Sequence, residues 1–248
     1  MLPPTPNYSL QSERQSKRGD NMNLLVLSGG PHPYEESTPL LDGVLKGAGH
    51  QYEITEDASV LADAGRMASF DALVFNTKRD GDMTMTEAER AGMTEYISGG
   101  KGFVCIHIAG AAPPEWQEYY DITGGGWISG ESYHPPYGQV EVKITNPGHP
   151  GAKGISDFVT NDELYMGIAY REEGNDVFMT ADAEDSNHVW PSRGGSSKDM
   201  PGGTFPLGWT RSFGQGKVFV TLLGHNGLSF ESPDFQKLVL NGIDWATT

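Results

Sequence analysis

The stretch Gly100-Lys101-Gly102-Phe103-Val104-Cys105-Ile106-His107-Ile108-Ala109-Gly110-Ala111 constrains the chain more than any other. Residues 103–106 form a short apolar run of strand formers framed by glycines, which predicts a buried strand. The run stops at His107, and Ala-Gly-Ala-Ala-Pro-Pro then suits a tight turn toward a helix start. A strand ending so sharply lifts the residue at the turn over the edge of its sheet. Ligands of open α/β sheets gather at the carboxyl ends of the strands, and elbows of this geometry present the nucleophile in other α/β enzymes. Here the elbow carries an imidazole.

Other short apolar runs agree with a parallel sheet. Residues 23–28 are unbroken through Leu24-Leu25-Val26-Leu27, as in a strand buried on both faces, and lead into Ser28-Gly29-Gly30. Helical spacing follows over residues 35–47, with Leu40, Leu41, Val44 and Leu45 on one side. Residues 51–55 and 70–75 read as further strands. A helix starts with a capping-box pattern at Thr84 or Thr86 and runs to about residue 98. Strand and helix thus alternate as in a sheet with helices on its faces.

The second half reads differently. A short helix is expected over residues 116–120, a half-exposed strand over 138–145 and another strand over 177–180. Residues 192–203 read as a polar, glycine-rich, mobile loop. Residues 206–211 and 217–223 form a hairpin, and its second strand ends in Gly224-His225-Asn226. Helical spacing over 233–245 closes the chain. No internal repeat or linker divides residues 22–248, so they are read as one domain behind a flexible leader of residues 1–21.

Composition excludes several functions. Thirty-three acidic against 17 basic residues leave a formal net charge of -16, which would repel a phosphate backbone or an anionic membrane surface. Nucleic-acid and membrane partners are therefore not expected, and no apolar stretch reaches the length of a membrane span. The leader lacks the apolar region of a secretory signal, which makes the cytoplasm the expected compartment. The single cysteine, Cys105, excludes an internal disulfide. It lies within a strand between Val104 and Ile106, on the same side as His107 by alternation. A nucleophilic thiol should stand at the turn beside a base, so a packing role is expected. The Ser28-Gly29-Gly30 loop lacks both the G-x-G-x-x-G spacing and a Walker lysine, and no nucleotide cofactor is expected.

The seven histidines are unequal. His107 and His225 each end a core strand; if those strands run parallel in one sheet, both imidazoles face one rim. His32, shortly after the first strand, could reach it too. Asp162 and Glu163 directly precede Leu164-Tyr165, so one of them is expected to point inward. Histidines plus a carboxylate suit a divalent cation, and the set read for it is His107, His134, Glu163 and His225. The alternative is that each imidazole ties down a neighbouring loop. His32, Trp127, Tyr133, His134 and Tyr165 are expected to contact substrate, because aromatic faces beside a polar rim suit the C–H face of a sugar.

Five pieces occur in order: Gly100-Lys101-Gly102-Phe103-Val104 with Ile106-His107; Tyr133-His134-Pro135; Gly148-His149-Pro150; Asp162-Glu163-Leu164-Tyr165; and Gly214-Gln215-Gly216-Lys217-Val218-Phe219 with Leu223-Gly224-His225. Together they resemble the ThuA-like, or trehalose-utilisation, family over nearly all of the chain from Met22. The resemblance implies a flavodoxin-like α/β sandwich of the class I glutamine amidotransferase type, with a mainly parallel central sheet. Amidotransferases of that fold hold a cysteine at the elbow. A histidine stands there in this family and here, so amidotransferase activity is not expected. The family's association with bacterial sugar catabolism implies a small-molecule sugar ligand. Ile108 departs from the small polar residue usual after the histidine.

These readings lead to one main expectation, an enzyme acting on a keto-sugar or keto-glycoside by isomerisation or elimination. His107, Glu163 and His225 would be catalytic, with a divalent metal ion assisting. The rival is a non-catalytic module that binds a sugar or a protein partner. The oligomeric state, including a homo-oligomer, is left open.

Overall fold

Nine strands build one sheet that carries the rest of the chain on its two faces. The structure is a computed structural model and describes residues 21–190 and 195–248. The expected leader, apart from Asn21, and the first part of the expected 192–203 loop lie outside the described residues.

In chain order, β1 (Asn23–Gly29) leads to α1 (Tyr34–Ala48), β2 (Gln51–Thr55), α2 (Ala64–Met67), β3 (Ala72–Thr77), α3 (Glu87–Ser98) and β4 (Gly102–Ile106). After the elbow come α4 (Tyr119–Thr123), β5 (Gly125–Gly126), β6 (Gly138–Ile144), β7 (Phe158–Asp162), β8 (Ala169–Tyr170) and β9 (Asp176–Ala183). The chain closes with β10 (Ser186–Trp190), β11 (Ser196–Met200), β12 (Gly203–Phe213), β13 (Gly216–Thr221), α5 (Gly227–Glu231) and α6 (Pro233–Ala246). The large sheet has the order β2-β1-β3-β4-β13-β12-β9-β6-β7. The ladders from β2 to β13 are parallel and those from β13 to β7 antiparallel. Only β12 and β6 therefore run against the common direction, and the sheet is mainly parallel.

The unbroken apolar runs are explained by burial on both faces. In β1, Leu24 and Val26 pack with Leu41 and Leu45 of α1 and with Leu238, Val239 and Ile243 of α6. Leu25 and Leu27 face the other way, against Leu61, Met67, Met93 and Ile97. Two cores separated by the sheet make the three-layer sandwich. Thr86, not Thr84, caps α3; its hydroxyl accepts from Glu89 N and Glu89 answers on Thr86 N at 2.7 Å.

The second half holds more strand than its patterning suggests. Much of the expected 192–203 loop is ordered strand, since β11 pairs antiparallel with β10 from Ser186–Met200 to Trp190–Ser196. Most of that hairpin is polar and exposed, with Met200 the one buried side chain described in it, so neither face carries an apolar alternation to read. β7, β5, β8 and α5 are short and equally unmarked. β3 runs two residues later than expected, to Thr77, because Asn76 and Thr77 are buried polar positions.

Phe219 is fully buried in the core between β13 and α6. Phe219→Ala should cost about 3–5 kcal/mol of unfolding free energy in urea titration; a loss below about 1 kcal/mol would mean that this core is not packed as described.

Candidate functional site

Parallel pairing of β4 with β13 sets the site. Ile106 stands opposite Thr221, so both strands end at one rim. His107 follows β4 with φ 55°, alone among the described non-glycine residues in having a positive φ. That region costs an L-residue roughly 1–2 kcal/mol, and such strain collects where structure serves a function. The ring is held in place: His107 Nδ1–H donates to Leu222 O at 2.8 Å, which leaves Nε2 as the acceptor. Tyr165 Oη donates to that Nε2 at 2.5 Å.

His225 reaches the same point because Gly224 turns there with φ 119°; a Cβ on Gly224 would stand 2.6 Å from Ile106 Cγ2. Its Nδ1 lies 3.4 Å from His107 Nε2 and 2.9 Å from His32 Nε2. His32 arrives from the loop after β1. Burial, then the neighbouring His107 and His225, pull His32 down to about 3, so it stays neutral with a lone pair to give.

The carboxylates come from β7. Asp162, the last residue of that strand, is 1% exposed and accepts from Gly224 N at 2.7 Å and His225 N at 3.3 Å. Burial raises its carboxyl, against the opposing pull of His107 and the Gly224 N–H. Glu163 points into the cluster, with Oε2 at 3.2 Å from His225 Nδ1 and 3.5 Å from His107 Nε2. Burial alone would raise Glu163, but contacts with His107 and His225 and the nearby His134 hold it well below the usual carboxylate range. Its other oxygen is 3.5 Å from His134 Nε2.

One ligand atom from each of His32, His107, Glu163 and His225 therefore converges, all within 4.8 Å of one another. Donors about 2.1 Å from one divalent ion stand about 3.4 Å apart at tetrahedral corners and about 3.0 Å apart at octahedral ones. Four of the six separations, 2.9, 3.2, 3.4 and 3.5 Å, lie close to that range, and all six are within 4.8 Å. Three imidazoles and a carboxylate can hold Zn²⁺ or a related transition metal. His134 is not one of the four; it stands behind Glu163, with Nδ1–H donating to Pro135 O at 2.6 Å.

The aromatic residues separate. Trp127 lies 4.7 Å from the Tyr165 ring and 5.7 Å from His134, beside the cluster. Tyr133 bridges to Met166 and is covered by Lys198 Nζ at 4.4 Å, among loop contacts. Tyr137 also belongs to the site: its ring is 5.0 Å from His225 and its hydroxyl donates to Asn226 Oδ1 at 2.9 Å. Patterning did not single out Tyr137 or Asn226; the only signal was their place beside His134 and His225. Ile108 is buried in the core below the elbow.

A family model described as ThuA, trehalose utilisation, matches residues 23–246. No curated protein matches the sequence. Among solved structures, a putative ThuA-like protein from Parabacteroides merdae superposes with a TM-score of 0.69 at 21% identity, over 92% of this chain and 90% of that one. One from Bacteroides uniformis gives 0.69 at 19% identity, over 97% and 94%. A cytoplasmic protein from Salmonella typhimurium gives 0.61 at 15% identity, over 91% and 98%. At these identities the likeness is one of fold. No helix among the described residues is long and apolar enough to cross a membrane.

Cys105 is fully buried, and burial pushes its thiol from 9.0 up to about 12. Iodoacetamide at pH 8 should leave the native protein unlabelled and label it fully in urea, as read by intact mass; native labelling within minutes would contradict this burial. A raised thiol keeps its full contribution to stability below pH 9 and loses it as pH climbs toward 12.

Proposed function

The chain belongs to the ThuA, or trehalose-utilisation, family, and from that premise we propose that it is a metal-assisted enzyme acting on a keto-sugar or keto-glycoside. The observation that carries the reading is the convergence of His32 Nε2, His107 Nε2, His225 Nδ1 and Glu163 Oε2 at donor separations suited to one divalent ion. Three imidazoles and a carboxylate drawn from four separate segments are a costly set to bury together for packing alone.

A cation held by these four residues would polarise a substrate carbonyl as a Lewis acid. The chain's own residues do the rest. His107 keeps its tautomer through Leu222 O, and Asp162 holds His225 by the backbone N–H groups on either side of the turn. Tyr165 Oη, beside His107 Nε2, is placed to donate to the carbonyl oxygen as negative charge grows there. His134, with Nδ1–H committed to Pro135 O, presents the Nε2 lone pair that removes the proton on the carbon next to the carbonyl. Return of that proton to the neighbouring carbon isomerises the sugar; loss of a β-leaving group instead eliminates it. Trp127 offers an aromatic face to the C–H side of the ring. The cytoplasm is the compartment proposed for this chemistry.

Protein purified without a histidine tag should contain close to one equivalent of a divalent transition metal by elemental analysis. His107→Ala should lose it together with turnover of 3-keto-glycosides. A metal-free protein whose His107→Ala variant keeps full turnover would refute the proposal, and sugar binding without any product by mass spectrometry would leave a binding module.

Tyr165 supplies a sharper case. Its hydroxyl occupies the Nε2 lone pair that a cation needs, so Tyr165→Phe should bind Zn²⁺ up to about tenfold more tightly, the worth of one hydrogen bond. The same change should lower kcat, because the donor to the carbonyl oxygen is gone. Metal affinity and kcat moving together would contradict this placement.

A further inference from the structure

The ribbon that carries Glu163 is hydrogen-bonded to the rest of the sheet at one end only. β6 and β7 pair with each other from Gly138–Asp162 to Val142–Phe158. β6 pairs with β9 only at Lys143–Thr180 and Ile144–Met179, and Thr145 N adds a bond to Phe178 O at 2.9 Å. An exposed ion pair, Lys143 with Asp182 at 2.6 Å, sits at that junction. Toward the rim the two strands then part. A gap of ≈ 300 Å³ opens between Gln139, Val140 and Glu141 of β6 and Ala181, Asp182 and Ala183 of β9. Paired strands stand about 4.8 Å apart and leave no such space. β9 stays paired with β12 from Asp176–Thr210 to Ala183–Gly203, so it is the ribbon that leaves the sheet.

The free end of the ribbon is held to the turn after β13 and to α5 by hydrogen bonds. Asp162 accepts from Gly224 N at 2.7 Å and His225 N at 3.3 Å. Ser229 Oγ donates to Asn161 O at 2.9 Å, and Tyr137 Oη donates to Asn226 Oδ1 at 2.9 Å. Closure buries the Asp162 carboxylate and brings Glu163 among three imidazoles, which costs desolvation that a cation at the cluster offsets. Opening uncovers Val140 and Leu164, buried to 6% and 8% exposure, so the open form is the minor one. Val142, next to the junction, keeps its place in the core. Ligands that bind one of two such forms shift the balance toward it.

We propose that the β6–β7 ribbon is a hinged arm, pivoting at Lys143 and Ile144, whose closure brings Glu163 to the cation and whose opening lets the cation leave. The proposal rests on the metal-centre reading above, because Glu163 is the one donor of the four that the arm carries. His32, His107 and His225 follow strands of the parallel half and stay in place as the arm moves.

Hydrogen exchange read by NMR on the full chain, with and without one equivalent of Zn²⁺, tests it. The Gly224 and His225 N–H groups report the closure directly, since Asp162 is their acceptor. In metal-free protein they should exchange with a weaker denaturant dependence than the amides of β1 and β4, because a swing of the arm exposes less surface than unfolding. Zn²⁺ should slow them at least tenfold. Ser229→Ala removes one bond to the arm and none of the four cation donors. It should speed Zn²⁺ release into a chelator about fivefold, the worth of one hydrogen bond, while zinc content stays at one equivalent. Zinc that binds without slowing Gly224 and His225, exchange there only by global unfolding, or a release rate unchanged in Ser229→Ala overturns the arm and leaves the metal centre standing. No zinc bound by the unaltered protein overturns the metal centre and the arm together.

Discussion

The clasp between the end of β7 and the turn after β13 is the contact on which the site depends. Asp162 accepts from the backbone N–H groups of Gly224 and His225. In hydrogen-bonding order β7 stands four strands from β13. At about 4.8 Å per strand, a flat sheet would hold them about 19 Å apart. Direct contact means that the antiparallel half of the sheet curls back over the carboxyl ends of the parallel half. Ser229 reinforces it, its hydroxyl donating to Asn161 O beside Asp162. The curl delivers Glu163 to the histidines and closes the rim into a pocket.

Electrostatics then follow from burial. Burial, and after it the neighbouring His107 and His225, keep His32 neutral. Glu163 stays ionised because these imidazoles surround it, despite a burial that would otherwise protonate it. A neutral ring nitrogen and an ionised carboxylate are the forms in which these groups bind cations. The elbow serves here to present Nε2 of His107, and Cys105 lies below it, buried, with its thiol raised by that burial.

Much of this was legible from residues. The runs 23–28 and 103–106 are unbroken because each strand is covered on both faces, and such runs imply a parallel sheet with helices on either side. The positive φ of His107 fits the sharp strand-to-turn break seen in Ile106-His107-Ile108-Ala109-Gly110. What was illegible shares a cause. β7, β10 and β11 are short strands without an apolar alternation, β7 because the positions it buries are the polar Thr160 and Asp162, so their pairing depends on backbone partners that only the folded sheet supplies. Tyr137 and Asn226 gave no signal of their own, because a hydroxyl and an amide become site residues only when a distant loop meets them.

By itself the sequence determined the class of sheet, the elbow, and which histidines end its central strands, because local patterning and turn chemistry act within a few residues. The tertiary structure decided which donors share one centre. His32, His107, Glu163 and His225 are drawn from across the chain, and their meeting depends on strand order and on the curl of the sheet. Those are long-range properties that no spacing encodes. That is why His32, from the loop after β1, stands among the converging donors while His134 stands behind Glu163.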